Sequence, residues 1–318
     1  MARKIIIDTD PGIDDAMAIY FALQASALDV IGLTTIFGNV TTELATVNAL
    51  RILDIAGRSD IPVAPGASDP LCHRFSGGAA FVHGDDGQGN TNRPLSARQP
   101  VSQHAAHFIV EQVMSQPGEI TLVPIGPLTN LALALRLEPR IADNVRDVVL
   151  MGGNALGPGN ATPAAEANIH NDPEAADVVL GASWPVTMVG LDVTHHVFMS
   201  ADHLDRYAGM GHAMGEHIAA ISPYYLNFYR ERNGLDGLYV HDSSAIAFLL
   251  APELFTTANW PVRVDTTQSL GRGKTWPALG DTARLDLDPW RNRPKVSVCV
   301  DVDGPAVVQL ELDTMSGR

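Results

Sequence analysis

Short runs of β-branched and apolar residues recur along this chain, and most are followed by segments whose apolar residues repeat at helical spacing. The runs that we predict as strands are Lys4–Asp8, Val30–Thr35, Ile120–Ile125, Asp147–Met151 and Val186–Leu191. The segments that we predict as helices are Asp14–Ala25, Thr42–Ala56, Val101–Ser115, Leu128–Leu137 and Pro173–Leu180. Continuous apolar strands separated by helices are typical of a parallel sheet with both faces covered. The sequence therefore predicts an α/β fold with a doubly wound, mostly parallel sheet and helices on both faces.

After residue 195 the pattern changes. A helical stretch covers Ala201–Leu250, and strand-like segments follow at Val262–Thr266, Lys295–Val302 and Ala306–Leu312. No Pro/Ser-rich linker divides the chain, so we predict a single domain over residues 1–318 with an appended helical and β C-terminal portion. The loop Ser76–Pro94 is long and rich in Gly, Asp and Asn, which is typical of a lid.

Charge and cysteine content exclude several classes of protein. With 36 acidic and 21 basic side chains the net charge is −15, which disfavours binding to nucleic acid. Cys72 and Cys299 are too few and too far apart for a disulfide framework or a zinc-thiolate site. No run approaches the roughly 20 apolar residues of a membrane span, and the start of the chain is too quickly acidic for a signal peptide. We therefore expect a cytoplasmic protein with no membrane partner.

Four carboxylates crowd the end of the first predicted strand, in Asp8-Thr-Asp10-Pro-Gly-Ile-Asp14-Asp15. Acidic residues at a helix N-terminus are common caps, which explains one or two of the four. Like charges this close repel unless a cation or a shared proton relieves them. A hard cation bound by oxygen, Ca²⁺ or Mg²⁺, is the interpretation that accounts for all four.

A second acidic element, His241-Asp242, precedes an apolar helix far downstream. Asp242 alone is explained as a helix cap. Together with the first cluster it is a candidate third carboxylate ligand, and His241 is a candidate acid beside it. The turn Val123–Asn130 is rich in Pro and Gly, and its backbone carbonyls are further candidate Ca²⁺ ligands.

Amides and one carboxylate follow other predicted strands. They are Asn39, the turn Met151–Asn154, Asn160 and the segment Glu166–Asn168. Ligands of α/β sheets bind beyond the carboxyl ends of the strands, and neutral amides suit hydroxyl groups better than phosphates. These positions therefore indicate a sugar ligand.

Other candidate motifs are weaker. The segment Gly271–Thr275 ends like a phosphate-binding loop, but Gln268 stands where the leading glycine should be. The remaining histidine pairs have no acidic or cysteine partner at metal-site spacing, so we predict structural or surface roles for His104, His107, His195, His196, His212 and His217.

The motifs taken together resemble the inosine-uridine preferring nucleoside hydrolases. The resemblance rests on Asp8–Asp15, Val123–Asn130, Met151–Asn154, Asn160–Ala175 and His241-Asp242, in the expected order over nearly the whole chain. It implies an N-glycosidase of the EC 3.2.2 type that hydrolyses ribonucleosides to free base and ribose with a broad inosine/uridine preference. It also implies a homodimer or homotetramer that serves purine and pyrimidine salvage or catabolism.

The resemblance implies a role for each matching position. Ca²⁺ would be held by Asp10, Asp15, Asp242 and the carbonyl oxygen of Ile125. Asp14 would activate a metal-bound water, and His241 would protonate the leaving base with Tyr225 and Tyr229 relaying the proton. Asn39 and Asn168 would bind ribose hydroxyls, Asn160 and Glu166 the 5′-hydroxyl, and His83 would close over the base.

The chain departs from the family's pattern at four positions: Ile125 replaces Thr, Ser243 replaces Pro, Gln88 replaces Leu, and Ala167 replaces an aromatic residue. Two rival functions stay open at this point. One is a phosphotransferase that uses Asp8 as nucleophile with Mg²⁺, and the other is a non-catalytic riboside-binding protein.

Overall fold

The predicted strands assemble into one large sheet in the computed structural model, which describes residues 2–280 and 289–317. The strands are β1 Arg3–Thr9, β2 Leu28–Thr35, β3 Val63–Pro65, β4 Ile120–Pro124, β5 Asp147–Met151, β6 Val186–Val189, β7 Phe198–Ser200, β8 Gly237–Tyr239, β9 Phe255–Val264, β10 Thr275–Pro277 and β11 Lys295–Val302. Among the described residues, nine strands form the main sheet in the order β10-β9-β11-β6-β5-β4-β1-β2-β3, and β7 pairs with β8 separately. Strands β1 to β6 pair in parallel, as predicted.

Helices cover both faces of this sheet. They are α1 Ile13–Gln24, α2 Thr42–Ile55, α3 Ala80–His83, α4 Ala105–Ser115, α5 Thr129–Leu137, α6 Ile141–Asn144, α7 Ala167–Asn171, α8 Pro173–Leu180, α9 Leu191–Thr194, α10 Ala201–Ala208, α11 Ala213–Asn233, α12 Asp242–Leu250 and α13 Gly304–Met315. Because strand side chains alternate, Ile5 and Ile7 pack in the core with α1 and α12, and Ile6 packs in the opposite core with α4 and α5. The doubly wound fold is therefore confirmed.

The strand order reverses between β1 and β4. From β1 the chain proceeds to β2 and β3 on one side, and then crosses back to β4, β5 and β6 on the other. β1 and β4 pair in parallel with Asp8 opposite Pro124, so both strands end at the same edge. Such a switch point leaves a crevice beyond the carboxyl ends of the strands, where α/β proteins bind ligands.

The C-terminal part differs from the prediction. Strands β9 to β11 are not an appendage, because β11 pairs with β6 and extends the main sheet. The segment Ala306–Leu312, predicted as a strand, lies in helix α13. Asp303 caps that helix by accepting from the Ala306 amide, Pro305 stands in the first turn, and buried side chains recur at helical spacing. The predicted helical stretch Ala201–Leu250 consists of three helices, since a turn at residues 209–212 separates α10 from α11 and β8 lies between α11 and α12.

None of the helices in the described ranges is long and apolar enough to cross a lipid bilayer.

Candidate active site

A cavity of about 610 Å³ opens at the switch point, within the usual size range of small-molecule sites. Most of the predicted site residues line it: Asp14, Asn39, His83, Ile125, Asn160, Glu166, Asn168, Tyr225, Tyr229, His241 and Asp242. Asp10 and Asp15 are buried beside this wall, with exposed fractions of 1% and 0%. The structure thus brings together side chains from the turn after β1 and from α1, α7, α11 and α12.

The turn after β1 is built by its own acidic residues. Asp15 lies in the first turn of α1, and its Oδ2 accepts from the Gly12 amide at 2.9 Å while its Oδ1 accepts from the Thr9 hydroxyl at 2.5 Å. Asn39 braces two carboxylates, since its amide donates to Asp10 Oδ2 at 2.6 Å and its side chain donates to Asp15 Oδ2 at 3.0 Å. Local capping therefore accounts for Asp15, as expected of an acid at a helix N-terminus.

The carboxylates fit a metal ion. Oxygens of Asp14, Asp15 and Asp242 lie within 4.8 Å of one another, and all three residues are buried. Within the described part of the chain, the Oδ1 atoms of Asp10 and Asp14 are buried without a hydrogen-bond partner. A buried polar atom without a partner is costly, and a hard cation supplies the missing partner for oxygen ligands.

Burial and mutual repulsion disfavour the charged forms of these groups. Burial, with repulsion from Asp15 and Asp14, raises the pKa of Asp10 well above its usual range. Burial and the neighbouring carboxylates raise the pKa of Asp242 in the same way. Burial raises the pKa of Asp14 to about 6. The charged forms of these carboxylates are therefore unfavourable in the absence of a cation, and a divalent cation would relieve their repulsion.

The carboxylate of Asp10 lies where it does because residue 126 is a glycine. A Cβ on Gly126 would lie 2.6 Å from Asp10 Oδ1, closer than real contacts allow. We therefore expect Gly126→Ala to displace the carboxylate and weaken binding of a divalent metal by about ten- to hundredfold, the usual effect of disturbing a ligand's surroundings. Isothermal titration calorimetry measures this affinity. Gly209→Ala is the control, because its Cβ would meet its nearest neighbour at an ordinary 3.5 Å; equal affinities in the two variants would contradict the prediction.

The carbonyl of Ile125 lies where β4 ends and accepts from the side-chain amide of Asn168 at 2.8 Å. The carboxylate of Glu166 caps α7, with Oε1 accepting from the Asn168 amide and Oε2 from the amides of Gly153 and Ile169. Asn160 Oδ1 accepts from the Ala167 amide at 3.0 Å. These polar groups are therefore fixed by the backbone around them before any ligand binds.

A row of hydrogen bonds joins Asp14 to His241 along one wall. The hydroxyl of Tyr225 donates to Asp14 Oδ2 at 3.2 Å and lies 3.3 Å from the hydroxyl of Tyr229. The Tyr229 hydroxyl lies 3.1 Å from His241 Nε2, and the Thr194 hydroxyl lies 2.8 Å from His241 Nδ1. Tyr225 and Tyr229 are one helical turn apart on α11, so both hydroxyls reach the same wall.

Burial sets the ionisation of this row. It lowers the pKa of His241 to about 3, with repulsion from His195 and His83 adding to the effect. It raises the pKa of both Tyr225 and Tyr229 above the usual range of a phenol. At pH 7 the imidazole is therefore neutral and both hydroxyls keep their protons, which is the state needed to pass protons between neighbours.

The loop that we predicted as a lid is anchored to the acidic turn. His83 is buried at the end of α3, where its Nδ1 accepts from the Ile13 amide at 3.1 Å and its ring packs 5.5 Å from that of Tyr225. The Gln88 side chain donates to the carbonyls of Gly12 at 2.7 Å and Pro11 at 3.3 Å. The departure at position 88 thus adds polar contacts that hold the turn carrying the acidic residues, contacts that a leucine does not make.

Sequence reasoning missed part of the wall. His195, predicted as structural or surface, lines the cavity with its ring 5.6 Å from that of His241 and 4.9 Å from that of Tyr239. Its position just after β6 and α9, at the carboxyl edge of the sheet, was the signal that could have found it and Thr194. The prediction of a structural role holds for His217, which is buried and lies 2.7 Å from the Tyr20 hydroxyl.

Comparison with known proteins decides the family. A model of the inosine-uridine preferring nucleoside hydrolases matches residues 5–309. This chain belongs to that family. Within the family it is 45% identical to the probable uridine nucleosidase 2 of Arabidopsis thaliana, over 98% of this chain and 97% of that one. It is 42% identical to the inosine-uridine preferring nucleoside hydrolase of Crithidia fasciculata, over 86% and 87% of the two chains.

A solved structure supports the same assignment. The plant nucleoside hydrolase PpNRh1 superposes with a TM-score of 0.97 at 41% identity, over 99% of each chain. This nucleoside hydrolase therefore acts on the N-glycosidic bond of ribonucleosides. The phosphotransferase alternative has no support in the geometry, because Asp8 is turned toward Thr34 and Asn130, whose side chains both donate to its Oδ1.

Proposed function

We propose that this nucleoside hydrolase cleaves uridine and inosine with Asp14 as general base and His241 as general acid. The observation that carries the proposal is the continuous row of hydrogen bonds from Asp14 through Tyr225 and Tyr229 to His241, beside a buried carboxylate cluster. One end of this row accepts a proton and the other end gives one up. Hydrolysis of an N-glycosidic bond needs both.

We propose Ca²⁺ as the metal, held by Asp10, Asp15, Asp242 and the carbonyl oxygen of Ile125. All of these donors are oxygens, and no thiolate or imidazole is among them, which suits Ca²⁺ better than zinc. When bound, the ion supplies positive charge that polarises oxygen atoms of water and ribose. The unpartnered Oδ1 of Asp10 supports its place in the set.

Asp14 takes a proton from the attacking water. Its Oδ1 is buried without a partner among the described residues, so it is free to accept, while Oδ2 is held by the Tyr225 hydroxyl. The other carboxylates stabilise the positive charge that develops on the ribosyl ring as the base departs, as in inverting glycosidases. Water adds to the ring carbon and the N-glycosidic bond breaks with its electron pair leaving on the base.

His241 gives a proton to the departing base. The neutral imidazole transfers it as negative charge develops on the leaving nitrogen, and the proton that Asp14 has accepted returns through Tyr225 and Tyr229. One proton leaves water and one reaches the base, so the row resets after each turnover. Catalysis of this kind by a positioned acid typically contributes about a hundredfold to ten-thousandfold in rate.

Hydroxyl and base contacts complete the proposal. Asn39 and Asn168 bind ribose hydroxyls, Asn160 and Glu166 the 5′-hydroxyl, and His83 closes over the base. Ala167 lies on the cavity wall and offers no aromatic face, whereas Phe228 and Tyr229 line the wall as well. Phe81, Tyr225 and Tyr239 line it too. Stacking on aromatic faces tolerates different bases, which supports a preference that accepts both uracil and hypoxanthine. The names of the relatives, uridine nucleosidase and inosine-uridine hydrolase, agree with this preference.

Three broader assignments are also proposals. Residues 1–318 form a single domain, supported by a main sheet that takes strands from both ends of the chain. The enzyme is a homodimer or homotetramer, since closed homo-oligomers are common among soluble enzymes. Its place is the cytoplasm, where the sparse, unpaired cysteines Cys72 and Cys299 would stay reduced.

Ribose release from inosine, uridine, adenosine, guanosine and cytidine tests the proposed function. We expect uridine and inosine to be cleaved fastest, with all turnover lost on removal of Ca²⁺. Release from the purine nucleosides alone would contradict the base preference. Retention of full activity after exhaustive chelation would contradict the metal. Binding of intact nucleosides without any release of base would favour the non-catalytic alternative.

A further inference from the structure

The segment Gly271–Thr275 resembles the end of a phosphate-binding loop, but its polar side chains bind backbone atoms of this protein. Lys274 has an exposed fraction of only 8%, and its Nζ donates to the carbonyl of Asn154 at 2.6 Å and to that of Gly157 at 2.9 Å. The hydroxyl of Thr275 accepts from the Asn154 amide at 2.9 Å. The lysine therefore has its ammonium committed to the turn after β5, not to a phosphate.

A carboxylate holds the same turn from the other side. Asp192, in α9, accepts from the amides of Ala155 at 2.6 Å, Leu156 at 2.8 Å and Gly157 at 2.9 Å. The amides of residues 155–157 thus donate to an anion, and the carbonyls of residues 154 and 157 accept from a cation, both supplied by distant parts of the chain. Hydrogen bonds to charged groups are stronger than those between neutral groups, so this turn is clamped firmly.

The clamped turn leads directly to the cavity. Gly159, Asn160 and Ala161 follow it and line the cavity wall. Backbone hydrogen bonds from Gly159 to Pro163 and from Ala161 to Ala165 close the rest of the loop on itself. The side chain of Asn154 donates to the carbonyls of Gly157 at 3.0 Å and Ala164 at 2.9 Å, which ties the clamped turn to this loop. A shift of residues 154–157 is therefore passed on to the loop that carries Asn160.

We propose that Lys274 and Thr275 are positioning residues that hold the loop carrying Asn160 in register with the 5′ end of the bound nucleoside. This inference rests on the proposed function, in which Asn160 and Glu166 contact the 5′-hydroxyl. Neither residue reaches the reacting atoms through the contacts described. They set how tightly the ribose end is held, and so act on substrate binding more than on the chemical step.

Buried donors are needed at this position. If an apolar side chain replaced Lys274, the carbonyls of Asn154 and Gly157 would lose their ammonium partner. The Gly157 carbonyl would keep the Asn154 side chain as a donor, whereas the Asn154 carbonyl would lose its charged donor, and a buried carbonyl without a donor is unfavourable. Methionine has a similar length and flexibility, so Lys274→Met removes the donors with little change in volume. Thr275→Val is a milder second variant, because it keeps the shape of the side chain and removes only the acceptor for the Asn154 amide.

The chain has only three lysines, which provides a matched control in Lys295→Met at an exposed position of β11. For Lys274→Met we expect KM for uridine to rise about tenfold while kcat changes by less than about twofold, with a smaller rise for Thr275→Val. On 5′-deoxyuridine, which lacks the hydroxyl, both variants should match the wild type. Backbone hydrogen exchange over residues 155–161 should become faster in Lys274→Met and stay unchanged in Lys295→Met.

The outcomes separate the inference from the proposed function. Unchanged exchange over residues 155–161 in folded Lys274→Met would overturn the clamp, whether or not the enzyme is active. Equal losses on uridine and 5′-deoxyuridine would overturn its role at the 5′ end, and so would faster exchange with an unchanged KM. Absence of ribose release by the wild type would overturn the proposed function itself, and the exchange result would still decide whether the clamp exists.

Discussion

Replacement of Asp10 by alanine should lower kcat/KM on uridine and inosine at least about a thousandfold, the equivalent of several kcal/mol of transition-state stabilisation. Its Oδ1 is buried without a partner among the described residues, which is where a cation ligand is expected. Its Oδ2 accepts from the Asn39 amide, so the same change also loosens a residue assigned to ribose. Ribose release and calorimetric titration with Ca²⁺ measure the two effects. Chelation of the wild type should reproduce the loss.

Asp8→Asn is the matched control for this experiment. Asp8 lies in β1, two residues before Asp10, and is equally buried. Its Oδ2 also lacks a hydrogen-bond partner among the described residues, but its Oδ1 accepts from Thr34 and Asn130, neither of which lines the cavity. We expect this variant to keep Ca²⁺ binding and most of its activity. If Asp10→Ala bound Ca²⁺ with wild-type affinity, or if Asp8→Asn lost it as completely, the proposed ligand set would be wrong.

Replacement of His241 by alanine should lower kcat on uridine and inosine by about a hundredfold to ten-thousandfold, the usual contribution of a general acid. The loss should be far smaller on p-nitrophenyl riboside, because its leaving group departs as a stable anion and needs no proton. Steady-state kinetics on the two substrates give the ratio. Tyr229→Phe should show the same pattern at smaller size, since it removes the hydroxyl that lies 3.1 Å from His241 Nε2.

His196→Ala is the control for His241→Ala. His196 is exposed and lies one residue from the cavity-lining His195, so its loss should leave both substrates unaffected. Equal losses on uridine and p-nitrophenyl riboside in His241→Ala would mean that the imidazole shapes the site without donating a proton. A large drop in the melting temperature of His241→Ala, with no such drop in His196→Ala, would point to the same structural role.

The parts of the site that are contiguous in sequence could be predicted before the fold was known. Asp10, Asp14 and Asp15 follow one strand and open one helix, so their proximity is a local property of a strand, a turn and a helix cap. Asn39 and Asn160 could be predicted because they follow predicted strands, and parallel strands end at one edge. The residues alone indicated the carbonyls of the turn Val123–Asn130, and only the family resemblance singled out Ile125. His195 could not, since a histidine without an acidic partner in sequence gives no local sign of the cavity that it lines.

Local periodicity also had limits. The run Ala306-Val-Val is typical of a strand, yet it forms part of a helix. Asp303 caps the start of this helix, and Val307, Val308 and Leu312 pack against the core. Propensity for strands depends on the surface that a segment packs against, and that surface is supplied by distant elements.

The sequence by itself determined the alternation of strands and helices, the acidic turn after the first strand, and the family, because these depend on residues near one another or on their order. Only the tertiary structure decided that Asp242 lies beside Asp14 and Asp15, that the tyrosines of α11 join Asp14 to His241, and that Lys274 holds the turn at Asn154. Those contacts follow from the order of strands in the sheet and from the packing of α11 and α12 over its edge. Neither is written in the spacing of residues along the chain, since side chains far apart in sequence meet only when the whole sheet is assembled.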